Sequence, residues 1–139
     1  MAGIYIHIPF CKTRCHYCDF YKSVDTGLGD PYVEALIREI DIRSEYLGDE
    51  TVDTVYFGGG TPSVLDHTRI RKIIEKLRST FSLSGNAEIT IEVNPDDTSR
   101  QYYSALLREG INRLSIGVQS WDDSILKLLN RRHKQPPVF

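Results

Sequence analysis

The spacing of apolar positions along the chain predicts four successive β/α units. Residues 4–8 alternate and are rich in β-branched side chains, the pattern of a short strand that Pro9 ends. Residues 23–30 are turn-rich, with Asp30 a suitable N-cap and Pro31 a suitable first helical residue. Val33, Leu36, Ile37, Ile40 and Leu47 then recur at helical spacing, and Gly48 suits the C-terminal cap. A second strand spans residues 51–57, and Ile70, Ile73, Ile74, Leu77 and Phe81 form the stripe of a second helix. Ser84-Gly-Asn86 turns the chain into a third strand over residues 87–93. A helix over residues 99–109 places Tyr103, Leu106 and Leu107 inward and closes at Gly110. A fourth strand covers residues 113–118, and residues 121–132 carry Trp121, Ile125, Leu128 and Leu129 at helical spacing. Trp121 reads as a packing anchor rather than a ring that stacks on a cofactor. The alternation argues an α/β fold, a parallel sheet with right-handed crossovers.

Composition narrows the class without naming a function. The chain has 139 residues, one domain's worth, and 40% of them are hydrophobic. A net charge of −2 gives no electrostatic case for nucleic acid as a partner. No apolar run approaches the roughly 20 residues of a membrane span, and no signal peptide fits the start. Clustered thiols without a secretion signal point to a reducing cytoplasm.

The chemistry concentrates in one loop. Cys11, Cys15 and Cys18, the three cysteines of the chain, are spaced C-x3-C-x2-C directly after the first strand. Their odd number excludes a self-contained disulfide framework. Soft thiolates so close together suit an iron–sulfur cluster or a zinc ion, with His16 or His7 available as a fourth zinc ligand. Gly58-Gly-Gly-Thr-Pro62 follows the second strand. Three consecutive glycines suit close approach of a ligand to backbone, or presentation of amides; a plain tight turn is the simpler reading. The run is not a phosphate loop, lacking the G-x-x-x-x-G-K-[ST] pattern. Glu92 ends the third strand, as a ligand or as a solvent-facing charge, and Gln119 ends the fourth. All of these features fall at carboxyl ends of strands, the edge where parallel α/β proteins bind ligands.

Taken in order, Tyr5-Ile-His-Ile-Pro-Phe-Cys11, the cysteine triad with Tyr17 before its last member, Gly58-Gly-Gly-Thr-Pro62, Glu92-Val-Asn-Pro95 and Ser115-Ile-Gly-Val-Gln119 resemble the radical S-adenosylmethionine superfamily. Within it they resemble the oxygen-independent coproporphyrinogen III oxidase family, including its heme-chaperone branch. The resemblance covers the chain but only the first part of the family's usual length. It therefore implies residues 1–139 as an incomplete core domain: the first four β/α units of a partial (β/α)6 barrel, with the later strands and a C-terminal domain absent.

The resemblance also implies a [4Fe–4S] cluster on Cys11, Cys15 and Cys18, and S-adenosylmethionine bound to its open iron and cleaved reductively by a low-potential electron donor. Gly58, Gly59, Gly60 and Thr61 would hold the methionine end. Glu92 would take the ribose hydroxyls or the ammonium, Gln119 would add a polar contact, and Tyr5 and the backbone at Tyr17 would line the site. Two branches compete: a chaperone that binds heme and delivers it to heme-receiving proteins, and a dehydrogenase that decarboxylates coproporphyrinogen III. The dehydrogenases carry a further cysteine where this chain has Phe20, and a longer segment before the first strand, so the resemblance favours the chaperone. A zinc-binding α/β domain is the remote alternative.

Overall fold

The computed structural model describes residues 2–97 and 99–134. Four parallel strands stand in the order β1-β2-β3-β4: β1 is Ala2–Ile8, β2 Val52–Gly59, β3 Leu83–Val93 and β4 Arg113–Ile116. Between them run α1 (Gly29–Ile42), α2 (His67–Thr80) and α3 (Arg100–Glu109), and α4 (Asp123–Leu128) follows the last strand. Each strand pairs with the next one in sequence, so the sheet is wound in one direction and one face receives the helices.

That face is the core. Ile6 and Ile8 of β1, Val55 and Phe57 of β2, and Ile89, Ile91 and Val93 of β3 pack against Val33 and Ile40 of α1, Ile70, Ile73, Ile74 and Leu77 of α2, and Leu106 of α3. The period-two alternation then places the intervening residues on the opposite, helix-free face. Strand register lines them up in rows: Tyr5 beside Tyr56, Tyr56 beside Thr90, Thr90 beside Arg113, and one step toward the carboxyl edge, His7 beside Gly58 and Glu92 beside Ser115.

Local signals set most helix ends. Asp66 caps α2 by accepting from the amides of Thr68 and Arg69 at 2.9 and 3.1 Å, and Ser99 caps α3 by accepting from Tyr102 N–H at 3.1 Å. Such a cap stabilises by about 1 kcal/mol. Gly110 ends α3 with φ 101°, in the left-handed region.

Elsewhere tertiary structure overrides the sequence pattern. Residue Leu28, not Asp30, is the N-cap of α1; Asp30 lies in the first turn and accepts from Arg69 Nε at 2.7 Å. Helix α1 stops at Ile42, so Leu47 reaches the core from the turns that follow. Ser84, Gly85 and Asn86 are not a turn: β3 begins at Leu83, paired with Val52, and a register shift absorbs the irregular stretch. Strand β4 ends at Ile116, short of Val118. In α3 Ala105 takes the inward position and Leu107 is 68% exposed.

The apolar stripe of the last helix is also turned outward. Trp121 is 61% and Leu128 73% exposed, so Trp121 is no packing anchor here, and Leu126 is the buried residue of α4. The cause is placement. Helix α4 is six residues long and is tied to the cysteine loop rather than laid on the sheet.

Candidate cofactor site

The cysteine loop is closed at its base. Phe10 is buried edge-on against Tyr32, with ring centroids 5.3 Å apart, and pairs with Ser23 as an isolated bridge. Ser23 N–H donates to Pro9 O at 2.6 Å, and Cys11 N–H donates to Ser23 O at 2.9 Å. Residues 11–23 thus leave and re-enter the fold at one point. Within the loop, Cys18 N–H donates to Cys15 O at 3.3 Å, and Lys22 Nζ donates to Cys18 O.

The segment after α4 clasps the far side of the loop. His16 N–H donates to Leu129 O at 3.2 Å and His16 Nδ1–H to Leu128 O at 2.9 Å. Asn130, in the left-handed region with φ 57°, donates from Nδ2 to Arg14 O at 2.7 Å. That bend delivers Arg131 to the loop: Nη1 lies 3.6 Å from Cys15 Sγ, while Nη2 donates to Asn94 Oδ1 at 2.5 Å and Gly117 O at 2.6 Å.

Each glycine of the run after β2 has its own steric reason. A Cβ at Gly58 would meet the Tyr56 and Tyr5 rings at 2.9 and 3.0 Å. Gly59 has φ 115°, and a Cβ there would meet the His7 ring at 2.7 Å. A Cβ at Gly60 would meet Phe10 O at 2.7 Å. The amides of Gly60 and Thr61 are spent inside the protein, donating to Ile8 O at 2.8 Å and Phe10 O at 2.7 Å. What the run offers the cleft is therefore room, and it holds Thr61 Oγ1 3.4 Å from Cys11 Sγ.

These parts enclose a cleft of about 250 Å³ at the carboxyl edge of the sheet. Cys11, Cys15, Cys18, Tyr17, Gly59, Gly60, Thr61, Glu92 and Gln119 all line it. Gly58 and Tyr5 are outside the lining: Gly58 makes room for rings, and Tyr5 stacks on Tyr56 with centroids 6.1 Å apart and planes at 17°. Gln119 adopts φ 66°, rare for a residue with a side chain and common where function over-determines the backbone. Neither histidine joins the thiols. His16 is engaged with Leu128 O, and His7 Nδ1 lies 3.3 Å from Tyr5 Oη.

Asn94, which ends the third strand with Glu92, also lines the cleft, as do Arg131 and Lys22, which the sequence pattern did not single out. For Arg131 a signal existed only in part. Asn130-Arg-Arg-His133 follows the last helix, but which of its cations turns inward depends on the bend at Asn130.

The electrostatics suit an anionic sulfur-ligated group. Burial pushes the Cys11 thiol above its ordinary value and the neighbouring Cys18 and Cys15 add to the rise, while the hydrogen bond with Thr61 and the charge of Lys22 oppose it. Thiols crowded in this way release protons on meeting a metal centre. Arg131 Nε is buried with no hydrogen-bond partner among the described residues, an orphaned donor at the cleft. Among the described residues no three His, Cys, Asp or Glu side chains gather as tightly as one metal ion requires. Three thiolates carried on one short loop suit ligands to different irons of one cluster. The residues present fit a cluster with a small polar molecule beside it.

Comparison with known proteins agrees with this geometry. The family model described as the radical SAM superfamily matches residues 5–138. Heme chaperone HemW of Bacillus subtilis is 38% identical over all of this chain and 37% of its own length. HemW of Escherichia coli K12 is 39% identical over 94% of this chain and 35% of its own length. Coproporphyrinogen III oxidase HemN of Escherichia coli, described as a radical SAM enzyme, superposes with a TM-score of 0.88 at 35% identity over 95% of this chain and 31% of that one. The chain thus spans about a third of the length of these relatives. Among the described residues no helix is long and apolar enough to cross a membrane. With a family match that starts in β1 and runs past Arg131, the chain belongs to the radical SAM superfamily, which implies a [4Fe–4S] cluster and S-adenosylmethionine as its cofactors.

Proposed function

We propose that this chain is the cofactor-binding first part, the first four β/α units, of a heme chaperone, and that its cleft holds the cluster and S-adenosylmethionine together. The observation that carries the reading is the convergence of three thiols, Thr61, Glu92, Gln119 and Arg131 on one 250 Å³ cleft. When bound, a cluster with one open iron supplies an electron for reductive cleavage of the sulfonium. The protein's share is position and charge. Cys11, Cys15 and Cys18 ligate, and Gly59 and Gly60 leave space beside them. Glu92 accepts hydrogen bonds from the ribose hydroxyls or the ammonium, Gln119 adds a polar contact, and the orphaned Arg131 donor meets an anionic group.

The chaperone branch is favoured by relatives that carry that name and by Phe20, 72% exposed at the cleft where the dehydrogenases have a further cysteine. Heme, heme-receiving proteins and a low-potential electron donor are then the partners, and a cytoplasmic location suits reduced thiols. The second reading is a coproporphyrinogen III dehydrogenase, which the superposition on HemN favours.

The deciding experiment uses full-length protein, reconstituted anaerobically and supplied with reductant and coproporphyrinogen III. Stable heme binding without decarboxylation is expected, and multiple-turnover formation of protoporphyrinogen IX would overturn the chaperone reading. In the same preparation, replacing any one of the three cysteines with Ala should abolish acid-labile sulfide. Stoichiometric zinc in the parent, with no labile sulfide, rejects the cluster. Glu92→Ala should weaken S-adenosylmethionine binding by about 1.5–3 kcal/mol, the worth of a hydrogen bond to a charged group.

A further inference from the structure

Glu92 reaches the cleft from a strand, and a glutamate side chain has three rotatable bonds to settle before it can aim a carboxylate. The structure shows what settles them. Tyr56 Oη–H donates to Glu92 Oε1 at 2.8 Å. Tyr56 pairs with Thr90 across β2–β3, so Glu92, two residues further on the same face, is its diagonal neighbour and within reach of an aromatic side chain.

The phenol is itself held. Its ring stacks on Tyr5, and the ring edge occupies the space left by Gly58, where a Cβ would come within 2.9 Å of Tyr56 Cε1. Ser115 stands opposite Glu92 in register, on the same face as the Tyr56 ring. Burial and the bond to Glu92 raise the pKa of that hydroxyl, so it remains a donor through neutral pH. Tyr56 does not line the cleft, whereas Glu92 does. The hydroxyl therefore acts on a ligand only through the carboxylate.

We propose that Tyr56 is a positioning residue for S-adenosylmethionine: it engages one oxygen of the Glu92 carboxylate and so presents the other to the ligand. The proposal rests on the reading of the cleft as the S-adenosylmethionine site. Orientation in advance of binding spares the ligand the ordering of a flexible side chain, and affinity gains by that amount. The same arrangement accounts for Gly58, which lies outside the cleft yet is required by the two rings that brace the hydroxyl.

The test is a double-mutant cycle on full-length, cluster-loaded protein, with S-adenosylmethionine affinity measured by anaerobic titration calorimetry for the parent, Tyr56→Phe, Glu92→Ala and the double variant. Tyr56→Phe keeps the ring and its stacking and removes only the hydroxyl. It should weaken binding about tenfold, or 1.4 kcal/mol, at unchanged iron content and unchanged thermal midpoint. In the Glu92→Ala background the same change should have little further effect. Parent-like affinity of Tyr56→Phe overturns the proposal, as does an equal loss in both backgrounds. A parent that does not bind S-adenosylmethionine overturns the cofactor reading and, with it, this role for Tyr56.

Discussion

Gly59 illustrates how one residue's backbone conformation shapes the site. It combines φ 115° with contact against the His7 ring at 2.7 Å from any added Cβ, so Gly59→Ala meets both strain and overlap. The expected cost is about 1–3 kcal/mol of stability for the backbone alone, read by chemical denaturation, with the loop displaced at Phe10 and Cys11. An alanine variant as stable as the parent would show that the turn can relax. Asp97 is a second such residue. Its side chain is 0% exposed, and Oδ1 accepts from Lys12 Nζ and Arg132 Nη2, each at 2.6 Å. Burial pushes its carboxyl up, but the bonds from Lys12 and Arg132 outweigh it and leave the pKa below the ordinary 3.8. A depressed folded value stabilises fully above 3.8 and is lost as pH falls through the folded value. Asp97→Asn should therefore cost about 1.5–3 kcal/mol at neutral pH and should shrink the parent's loss of stability as pH falls below 3.8. An unchanged acid limb in that variant rejects the assignment.

At the scale of elements, what could be read from sequence was what is local. Ser99 and Gly110 bound α3 because a cap and a left-handed glycine act within one turn of the chain. The cysteine loop and the glycine run were legible for the same reason, since strand, breaker and chemistry are contiguous. Helix α4 was not: its stripe of Trp121, Ile125 and Leu128 suited burial, but its orientation is set by bonds from the ring and the main chain of His16, 112 residues before Leu128. No periodicity encodes such a contact. Arg131 was missed with it, because the bend at Asn130 turns inward only against Arg14. His16→Ala tests the tie. Losing the bond to Leu128 O, worth about 1 kcal/mol, should speed hydrogen exchange of the Leu129 and Arg131 amides about fivefold while the amides of β3 stay protected. Exchange unchanged at both amides would mean that the His16 ring does not hold α4, leaving that to Leu126, the His16 amide and Asn130.

Across the whole molecule, the one-way winding separates two tasks. One face of the sheet is filled by α1, α2 and α3 and carries stability, and the other keeps Tyr5, Tyr56, Glu92 and Ser115 clear of helices and open to chemistry. The clasp between loop and chain end adds a consequence in time. Cys15 and Arg131 are 116 residues apart in sequence. Chains emerge from the ribosome at about 5–20 residues per second, so the thiols precede the arginine by roughly 6–23 seconds. For that interval the loop has no clasp, and under the cluster reading proposed above its sulfurs would be open to a donor of iron and sulfide. The thiols are made before the segment that clasps their loop.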